Sequence, residues 1–316
     1  MANLNRRHLA ATIAATMLGV HIFPGPVEAA EGGGSHYLPG TMGDIFLALP
    51  PRPGLHVSDT VFFQSGDLGV AVLGGQVDLN LDLSLVLNMV GAAYTFETPL
   101  LGGTYTIAAM VPFGSAKVNA ELVLPGGGTI DDSDKSFAFS DIAFVPLQLN
   151  WSVGAFSFKF SEVIVAPTGG YDVGEAANLG RNYWSFDTVG AVTWFNAATG
   201  TEISIAPGIM VNTENKDINY KTGTELHVDY VVNKFISETF VIGLRGYYYQ
   251  QLSGDSGSGA VLGDFKSRSL AIGVGFFWMP ESANGKLTIQ GKWMHDVDHK
   301  NRFDSDYGTI GIAWKF

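Results

Sequence analysis

The stretch TELHVDYVV, residues 224–232, alternates strictly between polar and apolar side chains. The polar members are Glu225, His227 and Asp229, and the apolar members are Leu226, Val228, Tyr230 and Val232. Successive side chains of a β-strand point to opposite faces, so this period of two predicts a strand with one ionisable face and one oily face. The remainder of the chain indicates which environment lies on each side.

The composition is acidic and poor in charged residues. The chain has 316 residues, a formal net charge of -12 and 15% charged residues, whereas an average soluble domain carries about 25%. The sequence offers no basic patch to neutralise phosphates, which argues against nucleic acid as a partner. Because the chain has no cysteine, disulfides, thiolate metal sites and an acylated lipoprotein anchor are excluded.

The N-terminus is typical of an exported protein. Arg6 and Arg7 precede the apolar run ATIAATMLGV, and small residues near Ala29 suit a signal peptidase. We therefore predict a signal peptide over residues 1–29, cleaved after Ala29. A membrane anchor would need about 20 apolar residues, more than this run provides. Residues 30–54 are rich in glycine and proline and predict an irregular lead-in.

Alternating segments fill the remaining residues, 55–316. We predict twelve strands, near 55–65, 82–96, 103–121, 141–151, 154–165, 182–196, 200–212, 223–233, 237–251, 264–279, 285–296 and 306–316. Short connections are expected at 98–103, 152–154, 196–200, 233–238 and 280–285. Longer polar loops are expected at 65–78, 125–136, 166–181, 212–223, 253–264 and 296–306.

This alternation of turn lengths, with an even strand number, is typical of outer-membrane barrels. We predict an all-β fold, a transmembrane antiparallel up-and-down β-barrel of about 12 strands with short periplasmic turns and long extracellular loops. A closed barrel pairs every backbone polar group internally, which a membrane-spanning sheet requires. Both chain termini are expected on the periplasmic side.

A barrel assigns the two faces of residues 224–232: the oily face meets lipid and the ionisable face lines the lumen. The same alternation in TFVIGLRGYYYQ, KLTIQGKWM and AFSFKFSE adds further basic residues to the inner face. The predicted pore-lining residues are Glu225, His227, Asp229, Arg245, Lys159 and Lys292. We therefore expect a lumen of mixed charge.

The last strand, YGTIGIAWKF, ends on the aromatic Phe316, in phase with Ile310, Ile312 and Trp314. Such an ending resembles the C-terminal signal of bacterial outer-membrane proteins. It implies outer-membrane lipid and the barrel-assembly machinery as partners.

The polar residues do not form a recognisable catalytic set. His227 has two acids on its face but no serine or threonine that the sequence singles out as a nucleophile. The acidic loop DDSD (131–134) lacks the spacing of a known calcium site. We therefore expect no enzyme activity, no catalytic residues, no metal and no cofactor.

Three prolines fall inside predicted strands, where each removes a donor from the hydrogen-bond ladder. They are Pro112, Pro146 and Pro207. Such breaks mark either simple bulges or a gap in the barrel wall. The gap hypothesis lets cargo leave sideways near Pro112 and Pro146.

Several long motifs resemble one family. These are the stretch from LGRNYWSFDTVG to TGTELHVDYVV, then GLRGYYYQQLSGDSGSGAVLGDFKSR, and the early HYLPGTMGDIFLALPPRPG. They resemble the meta-pathway phenol-degradation family of bacterial outer-membrane β-barrel channels, over nearly all of the chain after residue 29. The resemblance implies a channel for uptake of small hydrophobic or aromatic molecules. A narrow general small-solute porin, an outer-membrane lipid hydrolase and a structural barrel remain alternatives.

Overall fold

The structure, a computed structural model, describes residues 33–73, 76–123, 129–263 and 266–316. Thirteen antiparallel strands of these residues form one sheet, and the pairing of β2 with β3 closes it into a barrel. The predicted signal peptide lies outside the described residues. The strands are β1 (Gly54–Leu73), β2 (Gln76–Thr95), β3 (Thr104–Val123), β4 (Thr129–Phe139), β5 (Ile142–Val153), β6 (Phe156–Ala166), β7 (Ser185–Asn196), β8 (Thr201–Asn212), β9 (Glu225–Phe235), β10 (Phe240–Gln251), β11 (Arg268–Trp278), β12 (Leu287–Lys300) and β13 (Asp304–Lys315).

Alternation of side chains gives the barrel an apolar outer surface. In β8, Glu202 and Ser204 are buried, whereas Ile203 and Ile205, which alternate with them, each expose 47% of their surface. A continuous outward band of large apolar side chains is what lipid requires of a spanning barrel. The predicted all-β barrel is confirmed. In the described residues, no helix is long and apolar enough to cross a membrane.

The strand count differs from the prediction by one. β3 pairs with β5 through Thr104–Met110 and with β4 through Phe113–Val123, so β4 and β5 share one of twelve positions around the barrel. β4 begins inside the predicted loop 125–136 and ends at Phe139, so the prediction of a loop there was wrong. Its polarity resembles that of a loop because it pairs with only the loop-end half of β3. β3 has 20 residues, more than the roughly 9–11 that span a bilayer, so water reaches both faces at this end.

Two more predicted loops are largely strand. Residues 65–73 and 76–78 extend the β1–β2 ribbon, and residues 296–306 continue β12 and β13 up to a connection of only three residues, 301–303. The long connections between β6 and β7, β8 and β9, and β10 and β11 remain loops in their described parts. We call this the loop end of the barrel and the opposite end, with short connections such as 98–103, the turn end.

The chain preceding β1 lies inside the barrel. Residues 33–49, which we call the lumenal segment, run from the loop end to the turn end, where β1 begins. Gly33 lines a cavity with Arg302 and Phe303 at the loop end, whereas the backbone N–H of Phe316 donates to Leu55 at the turn end, 2.9 Å away. We expected both termini at the turn end, but the first described residue, Gly33, lies at the loop end.

Candidate functional site in the barrel lumen

Asp44 anchors the middle of the lumenal segment to the inner wall. Its Oδ1 lies 2.8 Å from Nζ of Lys292 and 3.5 Å from Nε of Arg245, and all three side chains are almost fully buried. Nε of Arg245 has no hydrogen-bond partner in the described residues, so the contact with Asp44 is an ion pair without a hydrogen bond. Asn233 also donates to the carbonyl of Asp44, at 3.1 Å. Two predicted pore-lining cations are therefore paired with one carboxylate of the segment.

Tyr37 covers the ionisable face of β9. Its ring stacks on His227 with centroids 4.1 Å apart, and its hydroxyl donates to Oδ2 of Asp229 at 2.7 Å. Nε2 of His227 lies 2.9 Å from Oδ1 of Asp187 on β7. Asp187 is 40 positions from His227 in the sequence. Alternation within one strand therefore could not predict that these two side chains pair.

The remaining inward acids hold the ends of the lumenal segment. Near the loop end, Ser35 donates to Glu225, which also accepts from Asn212 at 3.0 Å. Near the turn end, Glu202 accepts from the backbone N–H of Phe46 at 2.6 Å. The two predicted acids, Glu225 and Asp229, and the unpredicted Glu202 therefore bind the lumenal segment.

His36 joins four parts of the molecule. Its Nδ1 lies 2.6 Å from Oγ of Ser185 on β7, and its Nε2 lies 2.8 Å from Oδ2 of Asp141, at the break between β4 and β5. Asp141 also accepts from the backbone N–H groups of Gly169 and Arg181, at 2.8 and 2.7 Å. Burial lowers the pKa of His36, although Asp141 opposes this effect. Ser185 is fully buried, and this Ser–His–Asp arrangement ties the lumenal segment to the barrel.

The opposite inner wall is apolar. Inward side chains of β1, β2 and β3 form one packed cluster with the lumenal segment. We call this the apolar wall; its central residues are Phe62, Leu87, Met89, Ala116 and Val118. We expected a lumen of mixed charge; among the described residues the charged side chains of the inner wall lie opposite the apolar wall. The alternating leucines of LDLSLVLNM (81–89) are the sequence signal that could have identified this wall.

Two cavities lie between the lumenal segment and the apolar wall. The upper cavity, towards the loop end, has a volume of about 100 Å³ and is bounded by Leu83, Leu85 and Val118, with Arg302 and Arg181 on its polar side. The lower cavity has a volume of about 390 Å³ and is bounded by Met89, Ala108, Met110, Lys159 and Lys292. Lys159 and Lys292 are thus the predicted pore-lining residues that border open space.

The wall is thin beside the lower cavity. An outward groove of about 610 Å³ shares five lining residues with it, all small: Ala92, Ala93, Ala108, Ala109 and Val145. Pro146 lines the groove, at a bulge where the pairing of β5 shifts against both β3 and β6. Little more than a layer of backbone and methyl groups separates lumen from exterior at this point.

The other two prolines lie in different surroundings. Pro112 is in β3 opposite the break between β4 and β5, and its carbonyl accepts from Ser140 at 2.9 Å. Pro207 pairs with Val228, and the register of β7 against β8 is the same on both sides of it. The residues described here hold no cluster of three or more His, Cys, Asp or Glu side chains that could bind a metal.

Comparisons with known proteins agree with this fold. The family model described as "Putative MetA-pathway of phenol degradation" matches residues 65–311. The COG4313 outer membrane channel from Pseudomonas putida F1 is similar in structure, with 13% identity, 84% of this chain and 97% of that chain covered, and a TM-score of 0.67. A Pseudomonas aeruginosa FadL homologue is matched more weakly, with 9% identity, 93% and 99% covered, and a TM-score of 0.40. No curated protein matches the chain. The first structure shows that this fold is that of an outer-membrane barrel.

Proposed function

The chain belongs to the phenol-degradation family whose model matches residues 65–311, and from this premise we propose that it is an outer-membrane channel for small hydrophobic or aromatic molecules. The observation that carries the proposal is the division of the lumen. The lumenal segment binds several charged side chains of the inner wall, and the upper and lower cavities lie along the apolar wall. Transfer of apolar surface from water to such a wall is favourable by roughly 25 cal/mol per Å².

The proposed path enters at the loop end and leaves sideways at the thin wall. Cargo would pass between the lumenal segment and the apolar wall, along Leu87 and Met89, to the lower cavity. The bulge at Pro146 and the alanines beside it support an exit into lipid, because a bulge interrupts the regular ladder of the wall. A sideways exit lets an apolar solute enter the membrane without crossing the polar turn end.

The proposal includes export and membrane assembly. The signal peptide over residues 1–29 would direct the chain out of the cytoplasm, and the C-terminal strand ending at Phe316 would engage the barrel-assembly machinery. Phe316 exposes 68% of its surface beside the outward Trp314, a surface suited to such a partner and to outer-membrane lipid.

Flux through the purified protein in liposomes tests the function. We expect a monocyclic aromatic such as toluene or phenol to enter faster than through protein-free liposomes, with little flux of small sugars or ions. Aromatic flux no faster than the protein-free background would refute the proposal.

A narrow general porin is the second candidate. The inward charges of β8 to β12 favour it, because they would line a polar pore if the lumenal segment moved away. Ready flux of sugars and ions through the unmodified protein would identify this function instead.

A further inference from the structure

Arg302 lies in the three-residue turn between β12 and β13 and is buried, with 3% of its surface exposed. Its guanidinium carbon lies 4.0 Å from the centroid of the Tyr249 ring. In the part of the chain that the structure describes, its Nε and Nη1 have no hydrogen-bond partner. A buried cation with unpaired donors is costly for a fold to keep, which points to a ligand.

The acids near Arg302 are engaged by other groups. Asp296 and Glu225 are close enough to act on its charge. Asp296, however, accepts from the hydroxyls of Tyr247 and Tyr307, at 2.6 and 3.0 Å. Glu225 accepts from Ser35 and Asn212. The barrel therefore balances the charge of Arg302 at a distance and leaves its N–H groups unpaired.

Arg302 borders the upper cavity, which has two chemically different sides. Arg302, Arg181 and Ser35 lie on one side, and Leu83, Ala116 and Val118 lie on the other. The backbone of the lumenal segment approaches the arginines closely, since a Cβ at Gly34 would lie only 2.2 Å from Nη2 of Arg181. A ligand of this cavity would thus need an anionic head and a short apolar body.

We propose that the upper cavity binds a small aliphatic monocarboxylate, with its carboxylate on Arg302 and its chain against the apolar wall. Two carboxylate oxygens suit the fork of an arginine, and hydrogen bonds between opposite charges are the strong ones. The volume of about 100 Å³ is below the roughly 150 Å³ cavity that accepts benzene, a molecule of six heavy atoms, so an acid of two or three carbons fits. The inference rests on the proposed function only in placing this site at the loop-end mouth of the cargo path.

Calorimetric titration of the purified protein in a non-ionic detergent tests the site with three probes. Propionate carries both the head and the body, propionamide keeps the shape without the charge, and formate keeps the charge without the body. We expect propionate to bind at least about tenfold more tightly than either. Equal binding of propionate and propionamide, or of propionate and formate, would overturn the proposal.

Variants assign the binding to Arg302. Arg302→Gln should lose the preference for propionate over propionamide, and Arg302→Lys should retain part of it. Arg268→Gln removes an arginine of an exposed pair with Asp298 and should bind like the wild type. A preference that survives in Arg302→Gln would overturn the proposal. If this variant does not fold, Arg302→Lys and the wild-type probes still decide. Propionate binding without aromatic flux would refute the proposed function alone, and aromatic flux without selective propionate binding would refute this site alone.

Discussion

Oδ1 of Asp44 lies 2.8 Å from Nζ of Lys292, although the two residues are 248 positions apart. This buried pair ties the lumenal segment to β12, and Arg245 of β10 faces the same oxygen at 3.5 Å. The pair therefore holds the segment inside the barrel and gives both cations a carboxylate partner.

Loss of this carboxylate should release the lumenal segment. Removing one partner of a buried ion pair typically costs about 3–5 kcal/mol, so Asp44→Asn should lower the free energy of unfolding by about that amount. It should also raise single-channel conductance, since the charged wall would meet water. Asp298→Asn, in an exposed pair with Arg268, should change stability by under about 1 kcal/mol. Unaltered conductance in a folded Asp44→Asn barrel would contradict this role.

The link between two loops should weaken as pH rises. Asp255 accepts from Tyr220, from Gln251 and from the N–H of Gly223 at 2.9 Å. Burial raises the pKa of Asp255 from 3.8 to about 7, although these hydrogen bonds oppose the shift. The Asp255 carboxyl group loses its proton at a higher pH in the folded protein than in the unfolded chain. Its contribution to the free energy of unfolding is therefore greatest below about pH 4, falls as the pH rises to about 7 and is constant above that pH.

Hydrogen exchange checks that prediction. Exchange of the backbone amide of Gly223, corrected for the intrinsic effect of pH, should speed up several-fold between pH 5 and pH 8. Asp255→Asn should abolish this dependence, whereas Asp217→Asn, which alters an exposed acceptor of Asn182, should preserve it. A flat profile in the wild type would show that Asp255 does not titrate in this range.

Filling the lower cavity should slow aromatic flux. Ala108 lines both this cavity and the outward groove, so Ala108→Trp should reduce toluene uptake into liposomes severalfold. Ile205→Trp adds a similar ring at a lipid-facing position that exposes 47% of its surface, and it should leave uptake unchanged. Equal uptake by both folded variants would rule out a path beside Ala108.

Replacing Pro146, which lies at a bulge, should affect cargo uptake more than replacing Pro207, the proline of β8. Valine restores the missing ladder donor at either site, so Pro146→Val should favour a regular wall and slow uptake of hydrophobic cargo. Pro207→Val lies where the register is already continuous and is the matched control. Normal uptake through a correctly folded Pro146→Val barrel would exclude this bulge as the exit.

Inner-face positions could be predicted wherever the residues alternate strictly. In TELHVDYVV, Glu225, His227 and Asp229 are all buried in the lumen, because the face of a strand residue depends only on its parity. Loop prediction was less successful. Residues 129–139 are polar enough to resemble a loop, yet they pair with β3, because hydrogen bonds from a neighbouring strand do not depend on side-chain hydrophobicity.

The sequence by itself determined that this chain forms a closed barrel with an oily exterior, because alternation is local and an open sheet cannot span lipid. Only the tertiary structure decided which inner residues border open space. The lumenal segment has no period to reveal its path, and its position depends on partners such as Glu202, Asp229 and Lys292, which are distant in sequence. For the same reason, the sequence did not identify Arg302 as a candidate ligand-binding residue. Only the tertiary structure shows that its turn brings it into the lumen.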